Sequence, residues 1–241
     1  MSSGQDQRRR LSAPFRPRNY RAFAHTLTTY RRPVDALDRY VRGTGDYPWH
    51  PVLRTPIGEI ELVVPHPHDV RTVNEVFCRR DYGSGAPEVV VDVGGNIGVS
   101  AAWFLSRTPT SRVYVWEPVP HNLESLRANT AAFGDRCTIH PTALAPVSGP
   151  ATFLIDPVGR YSGLAQYRDS ASGAVPVEVE CEAVGEALRG VLEREGRIDL
   201  VKVDTEGSEE AIVAAIPADI RAAIGEIVYE YPGGVRRLRL R

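Results

Sequence analysis

The sequence has little lysine, few cysteines and no long apolar run. Lys202 is the only lysine among the 29 basic residues. No stretch approaches the ~18 consecutive apolar residues that a membrane-spanning helix needs. The three cysteines stand far apart and form no C-x-x-C pair, which excludes a disulfide framework and an ordinary zinc site. Free thiols and an amino terminus without the apolar run of a secretory signal favour a cytoplasmic location and no membrane partner.

Charge is nearly balanced over the whole chain but unevenly distributed along it. The 29 basic and 30 acidic residues give a formal charge of -1. Residues 1–54 contain 11 arginines and four acids, a local +7, which leaves -8 for residues 55–241. A nucleic-acid binder usually has a basic domain, whereas this main body is acidic, so we predict no nucleic-acid partner.

Length and composition predict one large domain or a domain plus an appendage. The chain has 241 residues, and 42% of them are hydrophobic, which is enough to bury a core. Residues 1–54 are rich in arginine and proline and are expected to form a partly disordered arm with short helices. Residues 55–231 are assigned to the main domain, and residues 232–241 to a short basic tail.

Apolar strand patterns alternate with helical patterns through the main domain. Strands are predicted at 88–93, 112–117, 137–144, 198–204 and 225–231, and helices at 97–107, 120–133, 183–195 and 208–216. This alternation predicts an α/β fold with a Rossmann-like, mostly parallel, doubly wound sheet. Residues 151–156 and 175–180 read as an antiparallel pair that flanks a loop.

A glycine-rich turn, D-V-G-G-N-I-G, follows the first of these buried strands. It supplies Asp92, Gly94, Gly95, Asn96 and Gly98 as candidate cofactor-binding residues. Glycines at a strand–helix turn permit positive φ and close approach of a ligand. A carboxylate at the mouth of this turn repels a pyrophosphate but attracts the ammonium and sulfonium of S-adenosylmethionine (SAM), so the charge favours SAM over a nicotinamide cofactor.

A second acid, Glu117, closes the next strand. A carboxylate at this point can accept hydrogen bonds from both hydroxyls of an adenosine ribose. This position suits NAD and SAM equally, so it indicates a nucleoside without choosing between them.

Three motifs carry a resemblance to a known family. The motifs are Asp92-Val-Gly-Gly-Asn-Ile-Gly98, then Glu117-Pro-x-Pro-x-Asn122, then Val201-Lys-Val-Asp204-Thr-Glu-Gly207-x-Glu209. In this order and spacing they resemble the FkbM family of SAM-dependent methyltransferases, over about residues 57–231. The resemblance implies a class I methyltransferase fold, SAM as cofactor with Asn122 at its site, and methylation of a hydroxyl on a sugar or natural product.

The third motif places Lys202, Asp204 and Glu206 near the reactive end of the cofactor. An alcohol is a poor nucleophile until it loses its proton, so we expect a base or a metal there. Asp204 or Glu206 is the general base in one hypothesis. In a second, both carboxylates, with Glu230, hold a divalent cation, which the sequence does not require. In a third, Lys202 and Asp204 form a buried ion pair and Glu206 caps the helix.

The acceptor is predicted to be a small-molecule hydroxyl bound by Arg160, Tyr161 and Ser162 in the loop 157–174. A plain surface hairpin is the equal alternative for this loop. Two other functions stay open: a SAM-binding module with impaired catalysis, and a nicotinamide-dependent oxidoreductase.

The carboxyl end departs from the family pattern. Class I methyltransferases normally add a helix and an antiparallel strand pair after the strand that ends here near residue 231. Residues 232–241 are too few for both, so the sheet is expected to lack its usual last two strands and to leave an open edge. A naturally short variant, a homodimer that covers the edge, or a truncated reading frame would each explain this.

Overall fold

A computed structural model describes residues 17–155, 162–167, 174–231 and 234–240. The chain divides into two compact units, residues 1–84 and 85–241. The first unit extends beyond the boundary at residue 54 that the sequence suggested, so the domain bounds given above stay predictions. No described helix is long and apolar enough to cross a membrane.

The first unit is built from helices and one hairpin. Its elements are α1 (Pro17–Thr29), α2 (Pro33–Arg42), β1 (Val52–Thr55), β2 (Gly58–Glu61) and α3 (Asp69–Val73), which continues as a π-helical turn (Asn74–Cys78). Strands β1 and β2 pair antiparallel, with Val52 opposite Glu61. The Trp49 indole donates a hydrogen bond to Asp35, 2.9 Å away, which ties the loop before the hairpin to α2.

The second unit alternates strands and helices. Its elements are β3 (Val89–Val93), α4 (Val99–Leu105), β4 (Arg112–Trp116), α5 (Pro120–Thr130), β5 (Cys137–His140), β6 (Ala143–Ala145), β7 (Gly149–Ile155), β8 (Gly163–Leu164), β9 (Val175–Ala183), α6 (Val184–Glu195), β10 (Ile198–Val203), α7 (Glu209–Ala215), α8 (Ala218–Arg221), β11 (Ile224–Tyr231) and β12 (Gly234–Arg239). Short 3-10 turns follow α5 (Ala131–Arg136) and β8 (Ala165–Tyr167).

The central sheet of the described residues has six strands in the order β12-β11-β10-β3-β4-β5. All neighbouring pairs from β5 to β11 are parallel, and β12 is antiparallel to β11. Numbered by appearance, the parallel strands run 3-2-1-4-5, so strand order reverses between β3 and β10. This confirms the prediction of a mostly parallel, doubly wound sheet and puts the ligand crevice at the carboxyl ends of β3 and β10.

Helices cover both faces of this sheet. Val89, Val91 and Val93 of β3 belong to one buried cluster with residues of α6 and α7, such as Leu188 and Ile212. Neighbouring strand residues point to opposite faces, and Asp92 on the other face contacts Ser100 of α4. Strand β3 is therefore buried on both sides, which explains its continuous apolar pattern.

A smaller sheet, β6-β9-β7-β8, is inserted between β5 and α6. Strands β7 and β9 pair antiparallel from Gly149–Cys181 to Ile155–Val175, which confirms the predicted pair. The prediction of one strand over 137–144 is wrong, because β5 ends at His140 in the central sheet and β6 begins at Ala143 in the inserted one. Pro141 separates them, and it has no N–H to continue a ladder.

Beyond the last parallel strand, the sheet has one more strand than expected. Residues Gly234–Arg239 of the basic tail form β12, which pairs with β11 from Tyr231–Gly234 to Glu226–Arg239. The expectation that β11 is an open edge is therefore wrong. Arg237 Nη1 lies 3.2 Å from Glu226 Oε2 on β11, so a cross-strand ion pair supports this pairing.

Candidate active site

The glycines of the D-V-G-G-N-I-G turn allow close packing against neighbouring strands and helices. Gly94 has a φ of +78°, and a Cβ atom there would lie 1.9 Å from the carbonyl oxygen of Asp204. Added Cβ atoms would meet Val115 at 2.2 Å from Gly95 and Leu126 at 2.7 Å from Gly98. A side chain at any of these three positions would clash with protein atoms. This explains the glycines in addition to the close approach of a ligand that the sequence suggested.

Asp92 is fully buried, and its charge is balanced inside the protein. Its Oδ2 accepts a hydrogen bond from Ser100 Oγ at 2.6 Å, and its Oδ1 lies 2.9 Å from Lys202 Nζ. Lys202 is opposite Asp92 in the β10–β3 register and also donates to the Gly94 carbonyl at 2.7 Å. Asp92 does not line the cavity, and the direct contact with a cationic cofactor that its charge suggested stays a prediction.

Lys202 lies beneath the cavity and does not line it. Its side chain is 2% exposed, and its Nζ is 3.8 Å from Asp204 Oδ2. Burial acts to lower the pKa of Lys202, but Asp92 and Asp204 outweigh it and raise the pKa above its usual value. The charged ammonium of Lys202 therefore joins the end of β3 to the turn after β10. Lys202 is placed as a supporting residue and not as a catalytic one.

Glu117 lies at the carboxyl end of β4 and lines the cavity. Its Oε2 accepts the backbone N–H of Asn96 at 2.8 Å, and its Oε1 accepts the N–H of Val119 at 2.9 Å and Asn122 Nδ2 at 3.3 Å. Burial raises the pKa of Glu117, while these hydrogen bonds act in the opposite direction. Asn96 and Asn122 also line the cavity, so Glu117 and its partners meet at one site as the motifs predict.

The cavity lies at the strand-order reversal and, together with its open mouth, contains about 600 Å³ of space not occupied by protein atoms. Most of its polar lining comes from the motifs: Asn96, Glu117, Asn122, Asp204, Thr205, Glu206 and Ser208. Its apolar lining includes Trp116, Val119, Leu144, Phe153 and Leu164, the last three from the inserted sheet or its edge.

Asp204 and Glu206 both reach this cavity from the turn after β10. The backbone N–H of Asp204 donates to Val93 O at 3.0 Å, which holds Asp204 at the end of the sheet. Glu206 has a φ of +59°, a left-handed conformation uncommon for a non-glycine residue. Ser208 is the N-cap of α7, and the carboxylate that accepts the backbone N–H groups of Thr205 and Gly207 belongs to Glu209, so the hypothesis that Glu206 caps this helix stays a prediction.

The predicted acceptor residues are only partly described. Ser162 lines the cavity, whereas Arg160 and Tyr161 lie outside the described residues. Within the described ranges, no group of three or more His, Cys, Asp or Glu side chains is placed to hold a metal ion. This gives the hypothesis of a cation held by Asp204, Glu206 and Glu230 no support.

Sequence reasoning missed an aromatic pair beside the cavity. The Trp116 ring stacks on His140, with centroids 4.2 Å apart and planes 6° from parallel. Trp116 Nε1 donates to Glu182 Oε2 at 2.8 Å, which joins β4 to the inserted strand β9. Trp116 directly precedes Glu117, and this position next to a motif residue was the only signal in the sequence.

Comparison with known proteins supports the family resemblance that the motifs suggested. The model of the methyltransferase FkbM domain matches residues 92–231, more than half of the chain. The match begins at Asp92 and ends with β11, so it contains all three motifs and the inserted sheet.

Two curated relatives and one solved structure illustrate the likeness. The chain is 26% identical to the AMB antimetabolite synthetase AmbE of Pseudomonas aeruginosa, with 66% of this chain and 9% of that protein covered. It is 25% identical to the methyltransferase sdnD of Sordaria araneosa, with 61% of this chain and 68% of that protein covered. A SAM-dependent methyltransferase from Agrobacterium tumefaciens aligns over 79% of this chain and 56% of its own, at 7% identity and a TM-score of 0.35. The chain spans only a small part of AmbE, and it belongs to the FkbM family of SAM-dependent methyltransferases.

Proposed function

We propose that the protein is an O-methyltransferase that acts on a hydroxyl of a small-molecule natural product or sugar, with a carboxylate as general base. One observation carries the proposal: Asp204 and Glu206 line the same cavity as Glu117. The cavity thus has carboxylates for two tasks, one at the strand end where a nucleoside binds and others at the turn where a hydroxyl would lose its proton.

The residues at the nucleoside end fit SAM. Glu117 is a buried carboxylate that lines the cavity, and a carboxylate has about four acceptor sites, of which its three protein donors use three. Asn96 and Asn122 bring side-chain amides to the same wall. When bound, SAM supplies a methyl group on a positively charged sulfur.

The protein's own residues would then orient the acceptor and take its proton. Displacement at the methyl carbon requires the hydroxyl oxygen in line behind it, and a bound geometry of this kind contributes much of the rate. Asp204 is fixed by the β3–β10 ladder and faces the cavity, so it is our assignment for the base, with Glu206 as the neighbouring carboxylate.

Two further observations support the class of acceptor and the location. AmbE is named as an antimetabolite synthetase, which favours a natural product as acceptor. The three cysteines are free, which supports a reducing compartment such as the cytoplasm. The family assignment leaves the nicotinamide-dependent alternative without support.

The test is methyl transfer from radiolabelled SAM to a panel of sugars, polyols and phenols. We expect label in a hydroxyl of at least one acceptor, and retention of activity after exhaustive EDTA treatment. Asp204→Asn should lower kcat by about 100-fold or more, since general-base catalysis contributes that much. Full activity in both Asp204→Asn and Glu206→Gln would refute the base assignment. SAM binding without transfer to any acceptor would favour the impaired binding module.

A further inference from the structure

The turn that carries both candidate bases is held by a side chain outside the cavity. Glu209, the first residue of α7, is 8% exposed and is not among the residues that line the cavity. Its Oε1 accepts the backbone N–H of Thr205 at 2.7 Å. Both its oxygens accept the N–H of Gly207, at 3.0 and 2.9 Å. One carboxylate therefore binds the amides on either side of Glu206.

The backbone of this turn needs such support. Glu206 and Gly207 both have positive φ, at +59° and +128°. A left-handed conformation has a steric cost for a non-glycine residue. Hydrogen bonds to an ionised carboxylate are shorter and stronger than neutral ones, so those from Thr205 and Gly207 offset this cost.

Support from other side chains completes the turn. Thr205 Oγ1 lies 3.3 Å from Glu209 Oε1 and 2.8 Å from Ser208 Oγ. On its other side, a Cβ added to Gly207 would lie 2.7 Å from the carbonyl oxygen of Tyr167. The turn is thus confined between Glu209 and the inserted sheet's 3-10 turn, while Asp204 is fixed from the strand side by Val93 and Lys202.

We infer that Glu209 is a positioning residue for methyl transfer, whose carboxylate fixes the turn Thr205–Gly207 and thereby places the carboxylates of Asp204 and Glu206 at the cavity. This inference rests on the proposed function. In the competing role, Glu209 only stabilises α7 as an acid in its first turn. Substitution of Glu209 would then lower the stability of the protein and leave catalysis by the folded enzyme unchanged.

The test compares Glu209→Gln with Glu210→Gln. Glu210 is the next residue, lies in the same first turn and is exposed, so its variant removes the same charge without touching the turn. A glutamine replaces one acceptor oxygen by an NH2 donor, so Glu209→Gln loses the negative charge and one of the two contacts to the Gly207 N–H. We expect kcat of Glu209→Gln to fall by about 100-fold, as a misplaced catalytic group does. Glu209→Gln should bind S-adenosylhomocysteine with the wild-type Kd, and Glu210→Gln should have the wild-type kcat.

Hydrogen exchange gives a readout that needs no acceptor. Amide exchange in a peptide covering 204–208 should become roughly 10-fold faster in Glu209→Gln, because each hydrogen bond to the carboxylate contributes over 1 kcal/mol. If exchange in Glu209→Gln is unchanged, the positioning role of Glu209 is overturned and the proposed function is not. The same holds if exchange is faster but kcat stays at the wild-type value. If the wild-type enzyme transfers no methyl group, both the positioning role and the proposed function are overturned.

Glu209→Asp covers the case in which Glu209→Gln does not fold. Aspartate keeps the negative charge at the start of α7 but is one methylene shorter, so it cannot reach both amides. We expect a wild-type melting temperature with a lowered kcat. Wild-type kcat in this variant would show that the charge alone matters and would overturn the inference.

Discussion

Two of the turns that line the cavity are shaped in different ways. The turn after β3 owes its form to glycines whose missing Cβ atoms let it lie against Asp204, Val115 and Leu126. The turn after β10 has a glutamate in left-handed conformation and depends on the carboxylate of Glu209. A turn shaped by glycine can be recognised in a sequence, whereas one shaped by side-chain hydrogen bonds can be recognised only when the partner is known.

The largest expected effect on stability comes from removing the charge of Lys202, which contacts both the turn after β3 and the turn after β10. Lys202→Met leaves Asp92 buried without its partner, which should cost about 3–5 kcal/mol of unfolding free energy. Urea denaturation measures this loss. The double variant Asp92→Asn/Lys202→Met removes both charges and should regain a large part of it. With Asp92→Asn as the second single variant, a loss in the double variant equal to the sum of the two single losses would show that the two residues are not coupled.

A smaller loss of stability is expected from adding a Cβ atom at Gly94, in the turn after β3. Gly94→Ala combines a left-handed backbone with a Cβ 1.9 Å from Asp204 O, so it should cost about 2–4 kcal/mol. Gly196→Ala is the matched control, because Gly196 also has a left-handed backbone, with φ at +75°, but has no atom within 4 Å of an added Cβ. It should cost about 1–2 kcal/mol. Similar losses of melting temperature in both variants would contradict the close-packing role of Gly94.

The smallest change should appear in cofactor affinity and not in stability. Glu117→Gln keeps the side chain's shape but weakens its acceptor contacts, so S-adenosylhomocysteine should bind about 10- to 100-fold more weakly by isothermal titration. Glu124→Gln, on the exposed face of α5, is the control and should bind as the wild type does. An unaltered Kd in Glu117→Gln would separate Glu117 from the cofactor and reduce its role to holding Asn96 and Val119.

Much of the central sheet follows from patterns that are local in the sequence. The continuous apolar run at β3 requires burial on both faces, and the helices and strands predicted after it lie within a few residues of those observed. The break between β5 and β6 was missed, because an apolar pattern does not reveal that a chain leaves one sheet for another. Strand β12 was missed because its alternating arginines read as a charged tail until β11 pairs with them.

In the site, too, residues within the motifs could be assigned from the sequence, whereas contacts between segments far apart in the sequence could not. Glu117, Asn96 and Asn122 were assigned together from their motifs, and they meet at the cavity. Asp92 was assigned to the cofactor from its charge, yet it is paired with Lys202 across 110 residues of sequence. The stack of Trp116 on His140 and its bond to Glu182 also join distant segments, and no local pattern predicts them.

The sequence by itself determined the alternation of strands and helices, the glycine turn and the acids that follow the strands, because each depends on neighbouring residues and a short period. Tertiary structure decided which of these acids face the cavity. Strand pairing brings Lys202 opposite Asp92 and buries both, whereas Asp204, two residues further along, reaches the open end of the sheet. Burial and pairing of charge depend on what the fold places alongside a residue, and that is fixed only when β3 and β10 become neighbours.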